Sequence, residues 1–154
     1  MPGREPKNPR TRDPRGNPGK RAAPRTPHLT LGAPTMPADL DDIARGEWNR
    51  LVAEGLRAKV LTSVDRAIVL MATEAFSTWR LCEKALRVAG SLTYETESSD
   101  GSTIFKARPE CAIGADAWRR YLTALKQLGL TPARRAKVET IDEPDEPASS
   151  TFFN

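Results

Sequence analysis

The sequence predicts a mainly α protein: a long helical hairpin as core, a small β-hairpin insertion, a further helix and a short terminal helix, with disordered N- and C-terminal tails. Three observations carry this. Apolar residues recur at steps of three and four over 62–90 and again over 109–128, the period of one helix face. Between these stretches, two short β-prone runs flank a Ser/Asp/Gly turn, the pattern of a hairpin. The first 37 residues hold nine of the 13 prolines, and the last sixteen hold five carboxylates and no basic residue; such segments bury too little surface to offset their ordering entropy. The expected divisions are therefore a disordered basic Pro-rich arm (1–37), a helical oligomerisation domain (38–138) and an acidic disordered tail (139–154).

The arm carries Arg4, Lys7, Arg10, Arg12, Arg15, Lys20, Arg21 and Arg25 against Glu5 and Asp13 alone. Such a flexible basic segment suits phosphate contact, with steep salt dependence, and equally suits an ordinary solvated tail. A first helix is expected after Asp39, with Asp41 and Asp42 in the acidic first turn and Ile43, Ala44, Trp48, Leu51, Val52 and Leu56 on its apolar side. Trp48 serves as a packing anchor, and Gly46 and Gly55 weaken the helix by roughly 1 kcal/mol each relative to Ala.

The long helix is expected from Thr62 to Gly90, antiparallel to the first. Thr62 and Asp65 have capping-box spacing, and Gly90 is a left-handed stop. Its main apolar line is Val64, Ile68, Met71, Ala75, Trp79, Cys82, Leu86 and Ala89, with Arg66, Thr73, Ser77, Arg80 and Lys84 on a polar face. A second apolar line, Leu70, Leu81 and Val88, falls on another side. About 27 helical residues span roughly 40 Å, more than a ~100-residue domain with a radius of gyration near 13 Å accommodates. A kink or packing by neighbouring subunits resolves this, and the second line favours the subunits.

The hairpin pairs Leu92–Thr96 with 103–107, and Leu92, Tyr94, Ile104 and Phe105 are expected to rest on helices or to meet hairpins of other subunits, because a lone two-stranded ribbon is marginal. The candidate oligomer-interface residues are thus Leu70, Leu81, Val88, Tyr94 and Phe105. Pro109 opens a helix with a seam of Cys111, Ala115, Trp118, Leu122 and Leu125, off which Arg119, Arg120 and Lys126 face solvent. A Schellman stop is expected at Gly129, with Leu130 folded back on Leu125. Thr131 then caps, and Pro132 starts, a short helix bearing Arg134, Arg135 and Lys137.

The residues point away from catalysis. The single histidine, His28, lies in the arm, and no CxxC, GxxxxGK[ST] or GxGxxG motif occurs, so no catalytic residue, metal site or cofactor is expected. Cys82 and Cys111 fall in apolar helical patterns and are expected as reduced core residues. No run reaches the ~20 apolar residues of a membrane span. Binding and assembly remain.

The block LGLTPARRAKV (128–138) resembles the closing segment of one subfamily of tailed-phage terminase small subunits, with an LGLTPxxRxKV-like pattern. The likeness extends through PHLTLGAP (27–34), Trp48–Leu51, VLTSVDRAIV (60–69) and the hairpin with Pro109. It implies a non-enzymatic, ring-type homo-oligomer that binds viral double-stranded DNA at the packaging start and recruits or stimulates the large terminase subunit, which holds the ATPase and nuclease. That work takes place in the cytoplasm of the infected bacterial host, and the protein is not expected in the mature virion. Arg135 matches the family's Arg in this block; a local or intersubunit ion pair ranks ahead of DNA contact for it. The chain departs from many such subunits in showing no helix-turn-helix over 38–90, so the expected means of DNA binding are phosphate contacts by the arm, Arg134, Arg135 and Lys137, or by basic residues lining a ring. The rival readings are a small dimeric helical DNA-binding regulator and a protein-only assembly scaffold.

Overall fold

Helix α1 (Asp42–Arg57) begins where Asp41, in extended backbone, accepts a hydrogen bond from the Ala44 N–H at 2.9 Å, so Asp41 is the cap and not a first-turn residue. The computed structural model describes residues 30–135 and, of Arg134 and Arg135, the backbone alone. The arm residues up to 29, Lys137 and the acidic tail lie outside the described residues. After α1 come a 3₁₀ turn (Ser63–Asp65), α2 (Arg66–Ala89), strands β1 (Thr93–Glu97) and β2 (Thr103–Ala107), α3 (Pro109–Gln127) and the short α4 (Pro132–Arg135). The chain is mainly helical, with one two-stranded antiparallel sheet.

The helix ends follow local chemistry. Thr62 donates its N–H and its hydroxyl to the Asp65 carboxylate, both at 2.8 Å, and a single 3₁₀ turn precedes α2. Gly90 (φ 65°) stops α2 and Gly129 (φ 71°) follows α3, left-handed positions that a side chain would strain. The Leu130 N–H donates to the Leu125 carbonyl at 3.0 Å, closing the Schellman motif the sequence anticipates. At the end of α1 the same motif is built on Lys59 (φ 54°), with the Val60 N–H donating to the Gly55 carbonyl at 3.0 Å. Thr131 does not act as the cap of α4: its hydroxyl oxygen is buried without a partner.

α2 is the common partner of α1 and α3. The cap of α1 meets Ser77 midway along α2, while Gly55 near its end packs on Leu61 ahead of α2, so the two helices are antiparallel, as expected. Trp79 meets Trp118, and Phe76 meets Tyr121, so α3 also runs opposite to α2. The core joins Leu40, Ala44, Trp48, Leu51, Leu61, Val69, Ala72, Ala75, Tyr121, Ala124 and Leu128.

Two faces differ from the sequence expectation. Thr73 and Ser77 do not lie on a solvated face but are buried, because Thr73 donates to the Leu70 carbonyl and Ser77 to Asp41 Oδ2, which satisfies their hydroxyls inside the α1–α2 contact. Met71 and Val64, placed on the core line, are exposed. On α3 the buried seam is Gly114, Ala117, Tyr121 and Ala124, a rotation from the expected Cys111, Ala115, Trp118, Leu122 and Leu125. Close approach of α3 to α2 selects the small residues: a Cβ on Gly114 would meet Cys82 Cβ at 3.1 Å. Trp118 and Ala115 are displaced to the exposed flank.

Residues 30–37, placed with the arm by the sequence, lie along the α1–α2 junction. Leu31 bridges Thr62, the Gly32 N–H donates to the Leu61 carbonyl at 3.3 Å, and Arg66 donates to the Thr35 carbonyl at 2.9 Å. Pro34 and Pro37 are buried.

Candidate assembly and nucleic-acid interface

The protomer has two unlike ends. At the first, the described chain begins beside Leu61 and Thr62 and closes on α4, whose preceding Leu130 lines a shallow depression with Arg50, Leu51, Glu54, Ala58 and Leu125. Both tails therefore attach where α1 ends and α2 starts. The hairpin lies at the other end of α2, which at ~1.5 Å per residue over its 24 residues is about 36 Å away.

Between them α1 covers only the first half of α2. Past the Trp79–Trp118 pair, whose ring centroids are 4.7 Å apart, α2 and α3 continue as a two-helix stalk. Leu81 (53% exposed) and Val88 (82% exposed) project from α2, and Ile113 is exposed on α3. The strands add Phe105 (66% exposed), Tyr94 and Ile104. The hairpin does not rest on the helices: it is held mainly at its base, where Arg108 Nε donates to the Ser91 carbonyl at 3.0 Å. Tyr94 pairs with Lys106 and Glu95 with Phe105, so Tyr94 and Phe105 occupy opposite faces of the ribbon.

Of the five candidate interface residues, the structure gathers Leu81, Val88, Tyr94 and Phe105 on this outer half. Leu70 is separate: it is half-buried and packs against the core. Ile113 escaped the sequence reading because it sits off the α3 seam with only the spacing of an ordinary exposed residue. Of the DNA-binding candidates, Arg134 and Arg135 lie on α4 at the tail end; Arg4, Lys7, Arg10, Arg12, Arg15, Lys20, Arg21, Arg25 and Lys137 fall outside the described residues. Arg119 and Arg120 both face Asp116, at 3.6 and 3.0 Å, which occupies their charge locally.

Electrostatically, one buried polar cluster ties α1 to α3. The Glu47 carboxylate accepts from Arg50 Nε at 2.9 Å, from Arg50 Nη2 at 2.6 Å and from the Tyr121 hydroxyl at 2.5 Å. The hydrogen bond to Glu47 holds the Arg50 guanidinium above its usual range, while burial, followed by the bond to Glu47, pushes the Tyr121 phenol up to about 12. The Glu47–Tyr121 pair is buried, and the half-exposed Arg50 that completes it borders the shallow depression at the α1 end, so the cluster serves cohesion. Burial raises the Cys82 thiol, with Glu110 and Glu83 adding to the effect; both cysteines are free. The described residues contain no group of three or more potential metal ligands, and no described helix is long and apolar enough to cross a membrane.

Comparison with curated proteins and with solved structures gives no match. The family described as phage terminase, small subunit, matches residues 44–145, most of the chain and nearly all of the described fold. This mainly helical chain, with its uncovered apolar stalk, belongs to the phage terminase small subunit family.

Proposed function

We propose that copies of this chain assemble into a ring, bind viral double-stranded DNA at the packaging start without sequence-reading helices, and recruit or stimulate the large ATPase and nuclease subunit. The small subunit itself performs no catalysis. It acts in the cytoplasm of the infected host and stays out of the mature virion. The observation that carries self-assembly is the uncovered stalk: Leu81, Val88, Tyr94, Ile104, Phe105 and Ile113 expose contiguous elements of the fold with apolar side chains, a pattern that marks association surfaces. DNA contact is assigned to the basic arm and to Arg134, Arg135 and Lys137, through phosphates.

Native mass spectrometry tests the assembly. The wild-type chain should give a mass many times that of one copy. Leu81→Asn with Val88→Asn should reduce that mass while leaving the helical circular dichroism intact, since neither side chain touches the core. A full-mass double variant would remove this face from the interface, and a dimer would favour the rival regulator. Filter binding tests DNA contact: deleting residues 1–29 should weaken binding and flatten its salt dependence, each lost phosphate contact reducing the log–log slope by about 0.9. Unchanged slope and affinity would reject the arm.

A further inference from the structure

The depression lined by Leu51, Ala58, Leu125 and Leu130, with Arg50 and Glu54, has a volume of about 280 Å³. That lies below the ~300–1,000 Å³ of a small-molecule site and suits a large side chain. Its charged members are already engaged. Arg50 donates to Glu47 and to the Tyr121 hydroxyl, and Glu54 accepts from Arg57 at 2.8 Å. What remains open is apolar surface bordered by the half-exposed Arg50 guanidinium, a setting that favours an aromatic ring, by burial of its faces and by cation–π attraction.

The chain carries such rings within reach. Leu130 lines the depression and α4 ends five residues later, at Arg135. Beyond α4 the sequence holds only two aromatic residues, the adjacent Phe152 and Phe153, and the arm holds none. A random coil of the length of residues 136–151 spans on the order of 20–25 Å, and the five residues from Leu130 to Arg135 span at most about 18 Å, so tether and gap match. Charge favours the same path. The segment between α4 and the pair carries Asp142, Glu143, Asp145 and Glu146. Arg57 and Lys126, next in sequence to the lining residues Ala58 and Leu125, are exposed. Exposed ion pairs contribute little, so charge biases the path and ring burial holds the end.

We propose that Phe152 and Phe153 fold back onto this depression of their own chain, one ring seated against Leu51, Leu125 and Leu130 and the acidic tract passing over Arg57 and Lys126. Docking withholds the aromatic pair from other proteins until a competitor for the depression, or for the pair itself, releases it. The inference concerns a single chain and stands apart from the assembly proposed above.

Methyl NMR on the full chain, compared with Phe152→Ser/Phe153→Ser, is the first test; neither position contributes to the described core. A seated ring shields the methyls it covers, so the Leu51, Leu125 and Leu130 resonances should lie upfield in the wild type, while those of the core residue Val69 stay in place. Leucine methyls that do not move overturn the docking. The second test is fluorescence anisotropy with a labelled peptide of residues 148–154. It should bind the double-serine chain about tenfold or more tighter than the wild type, whose own tail competes at a millimolar-scale effective concentration. Equal affinity for both chains overturns the docking. Ala58→Glu, at an exposed position of the depression, should abolish peptide binding to the double-serine chain, and binding that survives it overturns this depression as the site. Mixing isotope-labelled double-serine copies with unlabelled wild-type copies separates a chain's own tail from a neighbour's: recovery of the upfield positions in the mixture overturns docking within the chain.

Discussion

Tyr121→Phe isolates one hydroxyl at the junction of α1 and α3. In the folded chain that hydroxyl donates to Glu47, whose side chain is 4% exposed, and accepts from Arg50 Nη2 at 3.0 Å. The ring itself packs on Phe76 and Trp118, and phenylalanine preserves that packing. The loss is therefore two hydrogen bonds to charged partners, of which the one to the buried Glu47 carboxylate contributes about 1.5–3 kcal/mol. With a urea dependence of ~2 kcal/mol per molar for a domain of this size, 2 kcal/mol lowers the unfolding midpoint by about 1 M. Protein concentration is held fixed, since association adds to apparent stability. Glu47→Gln in the same background completes a double-mutant cycle, and a coupling above about 1 kcal/mol is expected for groups in direct contact. A midpoint shift below about 0.2 M, or additive single effects, would refute the claim that this cluster fastens α1 to α3.

Two further outcomes follow from the same geometry. The Tyr121 phenol rises from 10.0 to about 12 on folding, so the folded chain holds that proton more tightly; its contribution is whole below pH 10 and is lost as pH climbs through 12. At ~1.4 kcal/mol per pH unit this is on the order of 2–3 kcal/mol, visible as a decline in the urea midpoint that Tyr121→Phe abolishes. The two interior glycines of α1 should respond with opposite sign. Gly46→Ala meets no atom within 4 Å and should stabilise by roughly 0.5–1 kcal/mol, whereas a Cβ on Gly55 approaches Leu61 Cβ to 3.0 Å, so Gly55→Ala should destabilise. Thermal melts of both variants check the pair, and equal shifts would refute the close approach at Gly55.

What the sequence discloses here is governed by distance along the chain. The Thr62–Asp65 cap, the stops at Gly90 and Gly129 and the hairpin each depend on residues a few positions apart, and each was legible. The Lys59 stop was not, because lysine carries none of the left-handed preference that glycine signals. Glu47 and Tyr121 lie 74 positions apart, and nothing in either neighbourhood announces a buried pair. Periodicity located α3 but misplaced its inner side, because counting large apolar residues overlooks Gly114, Ala117 and Ala124, which permit the closest helix contact. For the same reason Thr73 and Ser77 read as polar surface while they fill the α1–α2 contact. Leu81 and Val88 were nonetheless placed on the exposed outer half of α2, because apolar side chains off the main line of a helix stand out, while Tyr94 and Phe105 fall at the same end through the hairpin. The assignments on the arm rest on composition alone.

Both tails attach some 36 Å from the hairpin, at the opposite end of α2. In an assembly sealed along the outer half of α2 and α3, as proposed above, the points where the arms attach would fall on the same rim. If the arms bind phosphates as proposed, a single arm would grip feebly, but once one arm were engaged its neighbours would sample the duplex at a local concentration fixed by tether length, and avidity could multiply the affinity by about 10² or more. A lone protomer would let go of DNA easily while the assembled rim would not, so subunit association alone would switch DNA retention on.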